Sequence, residues 1–140
     1  MAIDFLGRCD VIEECYQFLL GYAAQGLPTD EGSPSSRGVR NELQQAHEAL
    51  VGLHESCRRA IDDQQFEPAE KYDAFCSMLE HDVRNSLVAI ELVLAQPAIS
   101  SQVIDNLNAS SHLRALLTDL FLIGEIVRTR STVTTPVEGQ

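Results

Sequence analysis

Apolar residues recur at three- and four-residue intervals along most of the chain and never alternate in twos over a useful length. That period predicts helices and no strand. Helix one is predicted from Ile3 to Gln25, with two apolar stripes: Leu6, Cys9, Ile12, Tyr16, Leu19 and Ala23, and Val11, Cys15, Phe18 and Tyr22. Two stripes on one helix call for burial on two sides. The Pro, Gly and Ser clusters of Leu27 to Ser36 predict a loop. Helix two, Arg37 to Asp63, carries a four-three seam of Val39, Leu43, Ala46, Leu50, Leu53, Cys57 and Ala60. A break follows around Asp62 to Phe66. Helix three is predicted from Glu67, with Pro68 in its first turn, to Gln96, where Pro97 stops it. Helix four starts at Ser100-Ser101, either of which is a capping residue, and runs to Thr129. Its apolar face is Leu113, Leu116, Leu117, Leu120, Ile123 and Val127, and Thr132 to Gln140 reads as a flexible tail. The expectation is an all-α chain: residues 1–131 one helical domain, with 1–64 of unassigned role and 67–130 a helical hairpin closed by a short connection.

Composition narrows the classes of partner. With 140 residues, 44% apolar and 22% charged, the chain is that of a folded domain. A formal net charge of −11 argues against nucleic acid and against an anionic membrane surface. Met1 to Arg8 lacks the pattern of a secretory signal, and no segment nears ~20 uninterrupted apolar residues, so a cytoplasmic location is expected. Cys9, Cys15, Cys57 and Cys76 have no C-x-x-C spacing and fall on apolar helix positions. They read as small buried hydrophobes in a reducing compartment.

The candidate chemistry lies on helix three. Tyr72, Cys76, Leu79, Val83, Leu87, Ile90 and Leu94 form its apolar stripe. His81 is two residues from both Leu79 and Val83, a rotation of about 200°, so the imidazole is predicted to face outward. Asn85 is one turn further on the same face. His47 and His54 border the seam of helix two, but there is no Glu-x-x-His pair to go with them and no metal is expected. His112 reads as a boundary residue. Glu13-Glu14 and Asp62-Asp63 read as solvated or helix-end charges.

Residues Phe75 to Ile126 resemble the dimerisation and histidine-phosphotransfer domain of two-component sensor kinases. The resemblance rests on Phe75 six positions before His81, on His81-Asp82-x-Arg84-Asn85, and on Leu87, Ile90 and Leu94 after it, the family's H-box. It also rests on a return helix with Ser110 and Ser111 ahead of Leu113, Leu116, Leu117, Asp119, Leu120 and Ile126. It implies that His81 is the phosphoacceptor, that Asp82 orients the ring and favours the imidazolium, and that Asn85 positions the water hydrolysing a receiver's aspartyl phosphate. Arg84 would pair with phosphate oxygens, and Ser77 and Val88 would flank the histidine as partner contacts. The partner implied is a response-regulator receiver domain or a kinase. No cofactor is expected beyond Mg²⁺ held by that receiver.

Two features depart from the family. Ser86 stands where sensor kinases usually carry proline. Nothing resembles the ATP-binding part, and Gly is scarce, so autokinase activity is not expected of this chain. The resemblance also implies two hairpins pairing in a homodimeric four-helix bundle, against a bundle closed by the four helices of one chain. The two stripes of helix one favour the dimer. The rival function is a non-enzymatic helical adaptor, a degenerate phosphotransfer domain that binds a regulatory protein.

Overall fold

A computed structural model describes residues 2–31 and 37–134. Six helices follow one another: α1 Ala2–Ala24, α2 Arg37–Leu50, α3 Leu53–Gln64, α4 Ala69–Leu94, α5 Ser101–Ala109 and α6 Ser111–Thr134. The all-α class stands, but the four-helix bundle is corrected, because two helices expected to be continuous are each interrupted. Gly52 breaks the helix expected from Arg37 to Asp63 with φ 89, a left-handed conformation that glycine adopts without steric penalty. Arg8 occupies the gap, its Nη1 donating to the carbonyls of Ala49 and Val51 at 3.1 and 2.9 Å. Ser110 breaks the last helix in an extended conformation, and its Oγ accepts from Leu113 N at 3.3 Å to cap α6.

The interruptions leave the apolar period intact. Val39, Leu43, Ala46, Leu50, Leu53, Cys57 and Ala60 are all buried across the α2–α3 break. Helix α1 packs against α2 and α3 on one side and α5 and α6 on the other. Both of its stripes feed the core of one chain: Cys9, Ile12, Cys15, Leu19 and Tyr22 are buried, and Leu6, Val11, Tyr16, Phe18 and Ala23 pack against it partly buried. Residues from all six helices contribute to one hydrophobic core.

Helix α4 lies opposite α1, with α2 and α3 along one flank and α6 along the other. Side-chain contacts mark an antiparallel run along the first flank: His47–Glu91 at 2.8 Å, His54–Glu80 at 3.8 Å and the salt bridge Arg58–Asp73 at 2.6 Å. Contacts between Ser86 and His112, and between Tyr72 and Arg130, set α6 antiparallel on the other. Pro68 is the N-cap of α4, one position before the helix rather than inside its first turn. Ser100 caps α5 by accepting from Val103 N at 3.1 Å.

One end of the molecule is tied by long-range hydrogen bonds. Tyr22 donates its hydroxyl proton to the Ile99 carbonyl at 2.7 Å, and Ser101 donates to the Tyr22 carbonyl at 2.6 Å. Asp30 accepts from Arg40 at 2.6 Å and from Ile99 N at 2.8 Å, while Arg40 also donates to the carbonyls of Leu94 and Gln96. Burial alone would raise the Asp30 carboxyl; the guanidinium and the amide donors hold it below its ordinary value. These bonds fix both the α1 end and the turn after α4.

The predicted loop Leu27 to Ser36 is non-helical through residue 31, and its residues 32–36 lie outside the described residues. Helix α6 continues to Thr134, past the expected stop at Thr129 and into the predicted tail. Residues 135–140 lie outside the described ones.

Candidate functional site

Leu79 and Val83 are buried against the core, and His81 between them is exposed, as the period requires. Asn85 Nδ2 lies 3.2 Å from His81 Nε2. With the amide donating, Nε2 is an acceptor and the imidazole proton rests on Nδ1. The amide thus holds the ring by the nitrogen nearest to it, one helical turn along α4.

Asp82 is engaged elsewhere. It meets Asp119 of α6, whose carboxyl is buried at 6% exposure with no N–H or O–H donor reaching its Oδ2. Burial lifts Asp119 to about 7, and the hydrogen bond to Asp82 and the repulsion between the two carboxyls add to the shift. Below about 7, therefore, Asp119 keeps a proton that it shares with the neighbouring carboxyl. Asp82, cast by the resemblance as the acid that orients the imidazole, has its interaction on the α6 side; the ring's partner is Asn85.

The other expected residues sit on the same outward face. Ser77 Oγ accepts from Arg58 Nη2 at 3.3 Å, and Arg58 is held by Asp73. Arg84 donates to Glu80 at 2.7 Å and remains 71% exposed, so its charge is partly balanced but reachable. Val88 is 66% exposed. Leu92, one turn further, is 65% exposed, and Met78 is exposed on the other side of His81. Sequence reasoning missed Leu92 and Met78, although both fall at helical spacing around His81. It also missed that Asp119 pairs with Asp82; the available signal was an acid standing within the apolar face of the last helix.

The remaining histidines have their own contacts. His47 and His54 face Glu91 and Glu80, and His112 is exposed while its carbonyl accepts from Ser86. Among the described residues no three His, Cys, Asp or Glu side chains are grouped to hold a metal ion. Among them, too, no helix is long and apolar enough to cross a membrane. The four cysteines are all buried.

What the arrangement offers chemically is a solvent-facing imidazole, an amide that touches it, a reachable guanidinium one turn away and apolar side chains beside them. Comparison of the chain with family models, with curated proteins and with solved structures returned no match. The likeness to histidine-phosphotransfer domains therefore rests on the residues of α4 and α6 themselves.

Proposed function

We propose that the chain is a cytoplasmic histidine-phosphotransfer protein, or a phosphatase directed at receiver domains, in a two-component signalling pathway. The observation that carries this reading is the exposed His81 with the Asn85 amide at 3.2 Å from Nε2. In the transfer, the Nε2 lone pair attacks phosphorus of a receiver's aspartyl phosphate as the carboxylate oxygen–phosphorus bond breaks. The phosphoryl group moves to nitrogen and the aspartate leaves as a carboxylate. Mg²⁺ belongs to the receiver. The Asn85 amide swings from Nε2 when phosphorus approaches, and it then either steadies a phosphoryl oxygen or holds an attacking water. Arg84, exposed and one turn away, supplies positive charge to the phosphoryl oxygens. Val88, Leu92 and Met78 give the receiver an apolar footing around the histidine.

A second reading has its own support. Asp82 interacts with Asp119 of α6, so the carboxylate that the resemblance assigns to orienting the ring is engaged by another helix. A non-enzymatic adaptor that binds a regulator through the same outward face of α4 needs no such carboxylate.

The two readings part in one experiment. A phosphorylated receiver is mixed with the wild type, His81→Ala and Asn85→Ala, and phosphate is followed on both proteins. Phosphotransfer requires movement that His81→Ala abolishes, with Asn85→Ala altering hydrolysis more than transfer. The adaptor reading requires receiver binding that survives His81→Ala, with no phosphate movement in any of the three.

A further inference from the structure

The core-facing stripe of α4 has a counterpart on the opposite side of the same helix. Ala74, Met78, His81, Asn85, Val88 and Leu92 follow one another in alternating steps of four and three residues. Helical rotation gathers them within an arc of about 80° and strings them over about 27 Å of the axis. All but Asn85 are exposed, and Asn85 is half-buried. Among the described residues seven large apolar side chains are exposed, and three of them, Met78, Val88 and Leu92, share this arc. A fourth, Val51, stands beside it at the break between α2 and α3. Apolar residues scattered singly over a surface are ordinary; a regular four-three row through about five turns is the pattern of a seam on which a second helix packs.

The seam has a polar centre, an apolar recess and an acidic flank, and each constrains what can lie on it. His81 and Asn85, in contact at 3.2 Å, put hydrogen-bonding groups midway between Ala74 and Met78 at one end and Val88 and Leu92 at the other. A matching helix needs a polar residue at that level, the device that fixes register between paired helices. On the side of the α2–α3 break, Leu50, Val51, Val83 and Leu87 line a recess of about 160 Å³, joined by Glu80 and Arg84. That is room for one aliphatic side chain. Helix α4 carries Glu70, Asp73, Glu80, Asp82 and Glu91 against Lys71 and Arg84, on a chain of net charge −11. A second copy would bring two such acidic flanks together. A helix with lysine or arginine beside its apolar row meets the flank with opposite charge.

We propose that this face of α4 is a docking site for a basic amphipathic helix of another protein. The helix sits on Ala74, Met78, Val88 and Leu92, sets a polar residue against His81 and Asn85, and places one aliphatic side chain in the recess beside Val51. The apolar anchors supply the affinity, and the charged flank supplies the approach rate and the choice of partner. Docking needs no phosphate on His81 and so does not depend on phosphotransfer. Where the imidazole does accept phosphate, the docked helix covers it, and helix and receiver exclude each other.

The test uses the full chain and three fluorescent synthetic peptides of about three heptads. One has leucine along a four-three row, glutamine at its centre and lysine on both flanks. The second has glutamate in place of lysine, and the third has the composition of the first in shuffled order. Fluorescence anisotropy gives Kd at low and at high salt. The lysine peptide should bind one to one, about tenfold or more tighter than either control, and weaken severalfold as salt rises. Val88→Glu should cut its affinity about tenfold or more even though it adds negative charge, because the loss is that of an apolar anchor. Phe121→Glu, at an exposed position of α6, should leave the affinity unchanged. Circular dichroism and unfolding midpoints check that both variants fold. Equal binding of the lysine and glutamate peptides, equal binding of the shuffled peptide, an affinity that Val88→Glu leaves or raises, or no binding of the lysine peptide at millimolar concentration would each overturn the proposal. So would a dimer in sedimentation that Val88→Glu dissolves, since the seam would then belong to a second copy.

Discussion

Ser86 Oγ donates a hydrogen bond to the backbone carbonyl of His112, 3.1 Å away, and ties the middle of α4 to the first turns of α6. Ser86 is 1% exposed. The side chain thereby links two helices from the middle of α4.

Ser86→Ala should lose that bond and about 1 kcal/mol of stability. Ser86→Pro should do more harm, roughly 3 kcal/mol or more, since proline in a helix interior removes a backbone hydrogen bond and clashes one turn back. Urea unfolding of both variants checks the order. A proline variant as stable as the wild type would mean that α4 tolerates the bend and that the tie is incidental.

Asp119→Asn should stabilise the protein, and the gain should depend on pH. The folded-state value of Asp119 is raised from 3.8 to about 7. Between those values the folded protein holds a proton that the unfolded chain gives up, so this group's contribution falls as pH rises and is at its worst above about 7. Asparagine donates to Asp82 at every pH. The variant should therefore gain on the order of 1–3 kcal/mol at pH 8, and much less at pH 4.5. Denaturant unfolding at the two pH values measures the difference. An equal effect at both would show that the two carboxyls do not share a proton.

Gly52→Ala and Arg8→Ala probe the break between α2 and α3. A Cβ at Gly52 would meet only Arg8 atoms, at ordinary contact distance, so its penalty comes from φ 89 alone, about 1 kcal/mol. Arg8→Ala should destabilise by roughly 1–3 kcal/mol, because the carbonyls of Ala49 and Val51 lose a charged donor. Unfolding midpoints in urea measure both. A more stable Gly52→Ala would indicate that the chain prefers one uninterrupted helix here.

Much of the fold was legible because burial follows period. The seam from Val39 to Ala60 is buried as its spacing demands, and of the α4 stripe Cys76, Leu79, Val83 and Ile90 are buried while Tyr72, Leu87 and Leu94 pack partly buried against the core; Pro68 and Pro97 bracket α4. The two breaks were not legible, because neither disturbs that spacing. Leu50 and Leu53 stay in register around Gly52, and only the glycine's left-handed backbone ends the helix. Ser110 stands in an extended conformation between α5 and α6 and caps α6. The tie from Tyr22 to Ile99 joins residues 77 apart, and no local pattern announces it.

The candidate site was half legible for the same reason. Helical rotation placed His81 outward and Asn85 beside it, and both placements hold. What Asp82 faces depends on how α6 docks, a matter of tertiary packing rather than of sequence neighbours. Adjacency in the chain suggested the imidazole; packing directs the carboxyl to Asp119.

The central claim is that the His81 imidazole accepts a phosphoryl group, and the most direct measurement is the chemistry of the phosphate it would carry. Purified protein is incubated with receiver domains labelled on their aspartyl phosphate, separated, and exposed to acid and to alkali. The account predicts label on this chain that acid removes and alkali spares, mapped to the α4 peptide and absent in His81→Ala. Receiver that binds the chain while every label stays on the receiver, or label that persists in His81→Ala, would contradict it.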